Sequence, residues 1–306
     1  MRVAVLGVGL IGGSIGLAAR ARTGAQVCGY DPDPAALQAA LRAGAIDEQA
    51  ADIATAVAGA QVVFAAAPVG ALALTVSEAL AHCGPDCVVS DVGSTKLALD
   101  DLRQDTRFIG GHPLAGAETA GVSNARGDLF QGAAWYLTPT ATADEVLLAR
   151  LRDLIERFGA RPIAVPPDAH DRLMACVSHL PHVLANVLVA QATYAFEREG
   201  SPPTAGPSLQ DAVRVAGANT GIWTDIYLAN SEALIEAIDE LVRRLHDVRA
   251  ALDQGDAREL AAWNERARTA RQLLLDEDLN AGAGYSDAAL GNSDATPGRS
   301  DISTDA

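Results

Sequence analysis

Met1-Arg-Val-Ala-Val-Leu6 runs directly into Gly7-Val-Gly-Leu-Ile-Gly-Gly-Ser14 at the start of this 306-residue chain. A second short apolar run over Gln26–Tyr30 ends at Asp31, which lies 19 residues after Gly12. An apolar strand, a Gly-x-Gly-x-x-Gly turn, a helix, a second strand and an acid form, in that order, the fingerprint of a dinucleotide-binding unit. The stretch therefore predicts an α/β fold with a Rossmann-type, doubly wound parallel sheet. The alternative, a glycine-rich structural turn, leaves the acid unexplained.

Each part of this motif has a physical task. Gly7 permits the tight turn, Gly9 lets the backbone approach a pyrophosphate at the start of the helix, and Gly12 lets helix and strand pack closely. Asp31 is predicted to accept hydrogen bonds from the ribose hydroxyls. The candidate cofactor-binding residues are Gly7, Gly9, Leu10, Ile11, Gly12, Asp31 and Pro68.

The residues after this acid indicate which dinucleotide is bound. Pro32 and Asp33 follow Asp31, and no Arg or Lys lies between Asp31 and Arg42. An adenosine 2′-phosphate would therefore meet two carboxylates and no cation, so the sequence favours NAD over NADP.

Composition excludes several classes of partner. The formal net charge of −16 argues against a nucleic-acid ligand, because a polyanion would be repelled over most of the surface. An anionic substrate would have to be held by a few local cations. No run of about 18 uncharged apolar residues occurs, so no membrane span is expected. The strand at the first residues leaves no room for a signal peptide.

The cysteines fit a reducing compartment. Cys28, Cys83, Cys87 and Cys176 are few and scattered. They are expected to be small buried hydrophobes, although Cys83-x-x-x-Cys87 leaves metal or redox chemistry as an alternative. We expect no metal site and a cytoplasmic location.

Short apolar runs alternate with helical patterns up to residue 166, which predicts an NAD-binding domain over 1–166. The predicted strands are 2–6, 26–30, 62–66, 87–91, 107–109, 134–138 and 162–165. The predicted helices between them are 35–43, 69–81, 97–102 and 144–158.

No convincing strand follows Pro166-Pro167, and residues 167–279 are predicted to form a helical substrate and dimerisation domain. Its first helix, predicted over 168–199, is so apolar that we expect it to be buried against a second subunit in a homodimer. Further helices are predicted over 208–216, 222–229, 231–252 and 256–275. Residues 280–306 are rich in Gly, Ala, Ser, Asp and Thr and are predicted to form a disordered acidic tail.

Three polar clusters follow predicted element ends or interrupt an apolar helix. They are Asp91-Val-Gly-Ser-Thr-Lys96, then Gly110-Gly-His-Pro-Leu-Ala-Gly116 with Glu118, and Ser178-His-Leu-Pro-His182. His112, flanked by glycines and a proline, is the candidate general base, because imidazole titrates near neutral pH. Ser178 and His182 share a helix face and are candidate binding residues; the alternative is a hydrogen-bonded pair in the core or at an interface. Ser94 is a candidate site residue as well, and the alternative is that it caps a helix.

Lys96 is the one lysine among 23 basic residues. Its position beside these clusters hints at a spot where a forked guanidinium would not fit. Chance is the alternative, and the sequence gives it no role beyond proximity to the site.

These clusters, together with the glycine loop, Arg214 and Trp223, resemble the prephenate dehydrogenase family, which also contains arogenate dehydrogenases. The resemblance covers about residues 1–275 in order. It implies NAD-dependent oxidative decarboxylation of prephenate to 4-hydroxyphenylpyruvate, a step of tyrosine and aromatic amino acid biosynthesis.

The same resemblance implies roles for individual residues. His112 would accept the proton of the ring hydroxyl as hydride leaves the same carbon, and Ser94 would orient His112. The implied substrate-binding residues are Ser178, His182, Arg214, Glu118 and Trp223. Arg214 would hold a carboxylate by paired charge-assisted hydrogen bonds, although an ion pair with Asp211 is the alternative. Glu118 is expected to gate entry by pairing with a cation. Ala117 cannot make the side-chain hydrogen bond that family members often have there.

Three other functions remain open. An arogenate dehydrogenase would share the fold and the hydride chemistry, and nothing in the sequence separates the two substrates. A β-hydroxyacid dehydrogenase usually has a lysine base in its helical half, whereas Lys96 lies in the first half. An NAD-sensing module without catalysis would not need His112, Ser178 and Arg214 together.

Overall fold

The computed structural model describes residues 1–116 and 119–275. Glu118, predicted to gate the site, and the predicted tail over 280–306 lie outside the described residues. Within the described chain, Met1–Arg244 form one compact unit, and the residues from Leu245 onward belong to a second. The predicted domain boundary at 166/167 stays a prediction.

The strands form two sheets. A parallel sheet has the order β3-β2-β1-β4-β5, and a second sheet has the order β6-β7-β8, with β6 antiparallel to β7 and β7 parallel to β8. The strands are β1 (Arg2–Leu6), β2 (Gln26–Tyr30), β3 (Glu48–Gln49), β4 (Val62–Ala65), β5 (Val88–Asp91), β6 (Gly110–Pro113), β7 (Ala134–Thr138) and β8 (Arg161–Ala164).

Helices connect the strands and make up the described chain after β8. In the strand-containing part they are α1 (Leu10–Thr23), α2 (Pro34–Arg42), α3 (Ile53–Val57), α4 (Val69–His82), the 3-10 helices Leu97–Gln104 and Val122–Asn124, and α5 (Glu145–Arg157). They continue with α6 (Pro167–Met174), a π-helical turn (Ala175–His179), α7 (Leu180–Glu199), α8 (Pro207–Val213), the 3-10 helix Arg214–Gly217, α9 (Thr220–Ala229), α10 (Ser231–Asp253) and α11 (Ala257–Leu275).

Strands β1, β4 and β5 of the parallel sheet are buried on both faces, as apolar strands require, whereas the short β3 is exposed. Along β1, Val3 and Val5 point into one core with Phe64 and Trp135, while Ala4 and Leu6 point into a second core. The predicted fold class, a Rossmann-type α/β sheet plus a helical C-terminal region, is confirmed by the structure.

The structure differs from the sequence prediction around His112. The predicted strand 107–109 is reduced to an isolated bridge between Phe108 and Val89, and the strand proper begins at Gly110. His112 therefore lies inside β6, opposite Tyr136 of β7, rather than after a strand end. Glycine permits this position, because a Cβ on Gly111 would approach the carbonyl oxygen of Asp91 to 2.7 Å. The predicted helix 97–102 is a 3-10 helix, and β3 and α3 were not predicted.

The predicted helix over 168–199 is continuous but contains one π-helical turn at Ala175–His179. Pro181 has no N–H to donate to the carbonyl of Val177, four residues earlier, which accounts for a wider turn at this point. His179 lies in that turn and is fully buried.

This helical stretch, Pro167–Glu199, is long and apolar enough to cross a membrane by length and composition, with 22% of its most apolar window buried. That finding runs against the expectation of no membrane span. Length and composition are shared by membrane spans and by apolar helices that pack against other protein.

Candidate active site

The glycine turn forms an open cradle at the start of α1. Gly7 adopts φ +96°, a conformation that favours glycine, and a Cβ on Gly12 would lie 1.9 Å from the carbonyl oxygen of Gly7. Nothing lies within 4 Å of the Cβ position of Gly9, and no side chain of the described residues caps the first turn of α1. The free N–H groups of that turn therefore face open space in which an anion fits.

Asp31 is fixed beside this cradle. Its carboxylate accepts hydrogen bonds from the backbone N–H groups of Val8, at 2.9 Å, and Asp33, at 2.9 Å. A carboxylate has further lone pairs, so this one remains able to accept hydrogen bonds from a ribose.

A cavity of about 780 Å³ extends from this cradle. Its lining includes the glycine turn, Asp31, Pro68, Ser94 and Trp223. Seven of the predicted cofactor and catalytic residues line it: Gly7, Gly9, Leu10, Ile11, Asp31, Pro68 and Ser94. Gly12 is buried beneath the turn and does not line the cavity.

His112 belongs to a hydrogen-bonded series of side chains that continues to His170 and Asp171. Its Nδ1 lies 2.9 Å from Nε2 of His170, and Nδ1 of His170 lies 2.7 Å from a carboxylate oxygen of Asp171. His170 and Asp171 on α6 are fully buried, whereas the ring of His112 is partly exposed.

Asp171 also fastens the start of the 3-10 helix Leu97–Gln104. Its carboxylate accepts from the backbone N–H of Lys96, at 2.8 and 3.1 Å, and from that of Leu97, at 2.9 Å. The cap of this helix therefore comes from α6, and not from Ser94, the local residue considered in the sequence.

Lys96 is fully buried behind His112. Its ammonium group pairs with Asp91 and donates to the carbonyl of Gly111 at 2.7 Å. The Asp91 carboxylate also accepts from the N–H groups of Gly93, at 2.8 Å, and Gly111, at 3.1 Å. These contacts tie the end of β5 to β6.

A second group of side chains, Asn230, His179 and Trp223, links Asp171 to His182. Asn230 donates to the carbonyl of Asp171 at 2.8 Å and lies 3.1 Å from Nδ1 of His179. His179 meets Trp223 edge-on, and Trp223 stacks on His182 with ring centroids 3.3 Å apart. Trp223, which lines the cavity, therefore connects it to His179 of the π-helical turn and His182 of α7.

Ser178 and Arg214 lie close to this ring group. Nδ1 of His182 lies 3.2 Å from the backbone carbonyl oxygen of Ser178. Arg214 begins a 3-10 turn that packs on α7, and its charge acts on His182. The structure thus brings His112, Ser178, His182, Arg214 and Trp223 into one region. Of these five, only Trp223 lines the cavity among the described residues.

Burial lowers the pKa of three histidines of this region, His112, His179 and His182. It holds the pKa of His112 well below its usual value, and the neighbouring His170, Lys96 and His179 lower it further. Burial likewise lowers the pKa of His182, assisted by the charge of Arg214, and lowers that of His179 to about 4 against the opposing effect of Asp171. Neutral imidazoles can accept protons, which is the property a general base requires.

Sequence reasoning missed His170, Asp171 and Asn230. A signal was present for two of them. Pro167, His170, Asp171 and Met174 are spaced like the core-facing side of a helix, yet two of the four are ionisable. Ionisable side chains at core positions need partners, and His112 and the backbone of Lys96 supply them here.

Within the described residues, no group of three or more His, Cys, Asp or Glu side chains could hold a metal ion.

Comparison with known proteins agrees with this geometry. A family model described as the nucleotide-binding domain of prephenate dehydrogenase matches residues 15–164, and one described as its dimerization domain matches residues 166–265. Prephenate dehydrogenase of Bacillus subtilis (strain 168) is 32% identical over 284 residues, which are 89% of this chain and 76% of that protein.

Two solved structures share the whole architecture. Prephenate dehydrogenase from A. aeolicus in complex with hydroxyphenyl propionate and NAD+ superposes with a TM-score of 0.82 and 28% identity, covering 90% of this chain and 98% of that one. Arogenate dehydrogenase from Synechocystis superposes with a TM-score of 0.78 and 26% identity, covering 90% and 100%.

Proposed function

Because the chain belongs to the prephenate dehydrogenase family, we propose that it converts prephenate to 4-hydroxyphenylpyruvate by NAD-dependent oxidation and decarboxylation, a step of tyrosine biosynthesis. Membership of this family also sets aside the β-hydroxyacid dehydrogenase alternative.

The residues present fit a dinucleotide. The uncapped N-terminus of α1 and the empty space at Gly9 accommodate a pyrophosphate, while Asp31 and Pro68 border the cavity where the ribose and adenine would lie. The bound nicotinamide would supply a hydride acceptor. Asp31, with Asp33 two residues on, keeps a 2′-phosphate out by charge, so we propose NAD as the cofactor.

The substrate is a dianion bound by a strongly acidic protein. We propose that Arg214 holds one carboxylate, with Ser178 and His182 supplying further polar contacts. Trp223 is stacked on His182 and lines the cavity, where it would give the cyclohexadiene ring an apolar wall.

His112 is the proposed base. It takes the proton of the ring hydroxyl, and the hydrogen on the same carbon would leave as hydride to the bound cofactor, so that a carbonyl forms there. The bond to the ring carboxylate then breaks, and its electron pair enters the ring as carbon dioxide leaves. The carbonyl oxygen becomes a phenolate, which takes up a proton to give the hydroxyl group of the product. Since the product is aromatic, no separate group for decarboxylation is needed. Ser94, at the cavity wall, is proposed to orient the reacting groups.

One observation carries this assignment. His112 is hydrogen-bonded to buried His170, and burial keeps its pKa well below the usual value, so a neutral imidazole stands ready at physiological pH. An NAD sensor without catalysis has no use for such a group.

The test is a two-substrate, two-cofactor assay. Purified protein is given prephenate or arogenate with NAD or NADP, NADH or NADPH formation is followed by absorbance, and the aromatic product is identified by chromatography. We expect 4-hydroxyphenylpyruvate from prephenate with NAD, at a higher kcat/KM than with NADP. Absence of reduced cofactor with either substrate would refute the proposal.

Arogenate is the second candidate substrate, and the similarity to the Synechocystis arogenate dehydrogenase favours testing it. Arogenate has an amino group where prephenate has a ketone. In the same assay, a higher kcat/KM with arogenate than with prephenate, together with tyrosine as the product, would make arogenate the substrate and refute prephenate as the preferred one.

We further propose a homodimer formed through the helical region, in the cytoplasm. Support comes from the match of residues 166–265 to a dimerization domain and from the exposed apolar side chains of α7, among them Val187, Leu188, Val189 and Tyr194. The cysteines are free thiols, as in a reducing compartment.

A further inference from the structure

We propose that His170, held by Asp171, is a positioning residue that fixes the tautomer of His112 and leaves its Nε2 free to accept a proton. This inference rests on the proposed function only where it gives His112 the task of a base. The tautomer itself is a property of the protein without substrate or cofactor.

The argument begins at Asp171, whose carboxylate is immobilised. It accepts hydrogen bonds from the backbone N–H groups of Lys96 and Leu97, and its side chain is 1% exposed. An ionised carboxylate only accepts hydrogen bonds. The 2.7 Å contact to Nδ1 of His170 therefore requires the proton to be on that nitrogen.

A neutral imidazole with its proton on Nδ1 has a lone pair on Nε2. In His170 this lone pair meets Nδ1 of His112 at 2.9 Å. Two bare nitrogens at this distance would repel, so Nδ1 of His112 must carry a proton and donate it. In the neutral form of His112, the lone pair is then on Nε2, the nitrogen facing away from His170.

Packing prevents His170 from turning. The ring is fully buried and lies edge-on to two neighbouring rings. Its centroid is 5.7 Å from that of Tyr136 and 5.1 Å from that of His112. When His112 accepts a proton on Nε2, its Nδ1–H bond to His170 becomes charge-assisted and stronger. His170 therefore orients the base and also stabilises the cation formed on it, without touching the substrate.

Histidine nitrogen NMR gives a direct test. The protein is labelled with 15N-histidine and recorded without cofactor at pH 7.5, where His112 is neutral. His112→Asn identifies the signals by their loss. We expect wild-type His112 to be protonated on Nδ1 and bare on Nε2. The opposite tautomer in the wild-type protein would overturn the proposal whether or not any variant folds.

Two substitutions of His170 separate positioning from folding. His170→Leu removes the acceptor, whereas the side-chain oxygen of His170→Gln reaches about as far as Nε2 and can still accept from His112. We expect the Nδ1-protonated signal of His112 to be lost with Leu and kept with Gln. His246→Gln, which removes an exposed histidine of α10, is the matched control and should change nothing.

The same variants are tested in turnover of prephenate. We expect His170→Leu to lower kcat about 10- to 100-fold, the loss typical of removing an outer hydrogen-bond partner of a functional histidine. KM should change less than kcat, and His170→Gln should restore most of the rate. A wild-type rate in His170→Leu, or an unchanged tautomer in it, would refute the positioning role.

Failure of the proposed function gives a different result. If neither prephenate nor arogenate is oxidised but His112 shows the expected tautomer and its dependence on His170, the base assignment fails and the tautomer inference stands.

Discussion

Lys96 and Asp91 form an ion pair that is fully buried directly behind the strand carrying His112. Because Lys96 also donates to the carbonyl of Gly111, and Asp91 accepts from the N–H of Gly111, the pair fixes the residue next to His112 from both sides of its backbone. The lone lysine of the sequence thus has a structural task at the site. At this buried position the compact ammonium group reaches both the Asp91 carboxylate and this carbonyl.

Removing the lysine should destabilise the protein strongly. Lys96→Met leaves the Asp91 carboxylate buried without its counter-charge, and we expect the free energy of unfolding to fall by about 3–5 kcal/mol in urea titrations. Arg157→Met, which breaks the exposed pair with Asp153, should cost less than about 1 kcal/mol. The double variant Lys96→Met/Asp91→Asn should be more stable than Lys96→Met alone. A small loss in the single variant would show that Asp91 finds water or protonates.

His112→Asn should abolish base catalysis while sparing the cofactor site. We expect kcat to fall about 10²- to 10⁴-fold, the usual contribution of a general base. The dissociation constant for NAD, measured by calorimetry, should stay near the wild-type value, because the glycine cradle and Asp31 are untouched. Near-normal turnover would remove His112 from the mechanism.

Arg214→Ala should act mainly on substrate binding. Loss of the guanidinium removes charge-assisted hydrogen bonds to a carboxylate, so we expect KM for prephenate to rise at least about 10-fold, with a smaller effect on kcat. Arg198→Ala, at the exposed end of α7, is the control and should leave KM unchanged. An unchanged KM in Arg214→Ala would assign that residue to structure.

Stability should fall as the pH drops from about 6.5 to 4. Burial lowers the pKa of His179 to about 4, whereas a histidine in the unfolded chain titrates near 6.5. Between these values the unfolded chain binds a proton that the folded protein does not bind, so acid favours unfolding. In urea titrations from pH 7 to 4.5, His179→Gln should show a shallower dependence than wild type, and His246→Gln the wild-type dependence. Equal slopes for His179→Gln and wild type would contradict the assignment.

The apolar surface of α7 should be required for dimer formation. We expect light scattering at micromolar concentration to give a dimer mass for the wild type and a monomer mass for Val187→Glu, since a charge would be buried at the interface. Val146→Glu places the same substitution on an exposed valine of α5 and should remain dimeric. A monomeric wild type would refute the proposed assembly.

Local sequence patterns predicted the dinucleotide-binding residues. The partners of His112 could not be predicted, because they are brought to it by contacts between residues far apart in the chain. Gly7, Gly12 and Asp31 could be recognised because their spacing within one βαβ unit carries the chemistry. His112 stood out as a polar residue in an unusual context, but its partner His170 is 58 residues away and resembles an ordinary helix residue. No periodicity connects the two, since only the folding of α6 onto β6 brings them into contact. The same limit applies to Asp171, which caps a helix 75 residues earlier in the chain.

The π-helical turn at Ala175–His179 determines how this helix responds to the deletion of a residue. A π turn holds one more residue than an α turn over about the same rotation, so deleting a single residue there would restore a regular helix and leave the angular phase of everything beyond it nearly unchanged. A deletion in the regular part of the helix would instead rotate everything beyond it by about 100°. His170 and Asp171 precede the turn, and the apolar face of α7 follows it. The angular phase between the proton-handling end of this helix and its assembly surface can therefore survive the loss of one codon at this turn, whereas the same loss elsewhere between them would turn one away from the other.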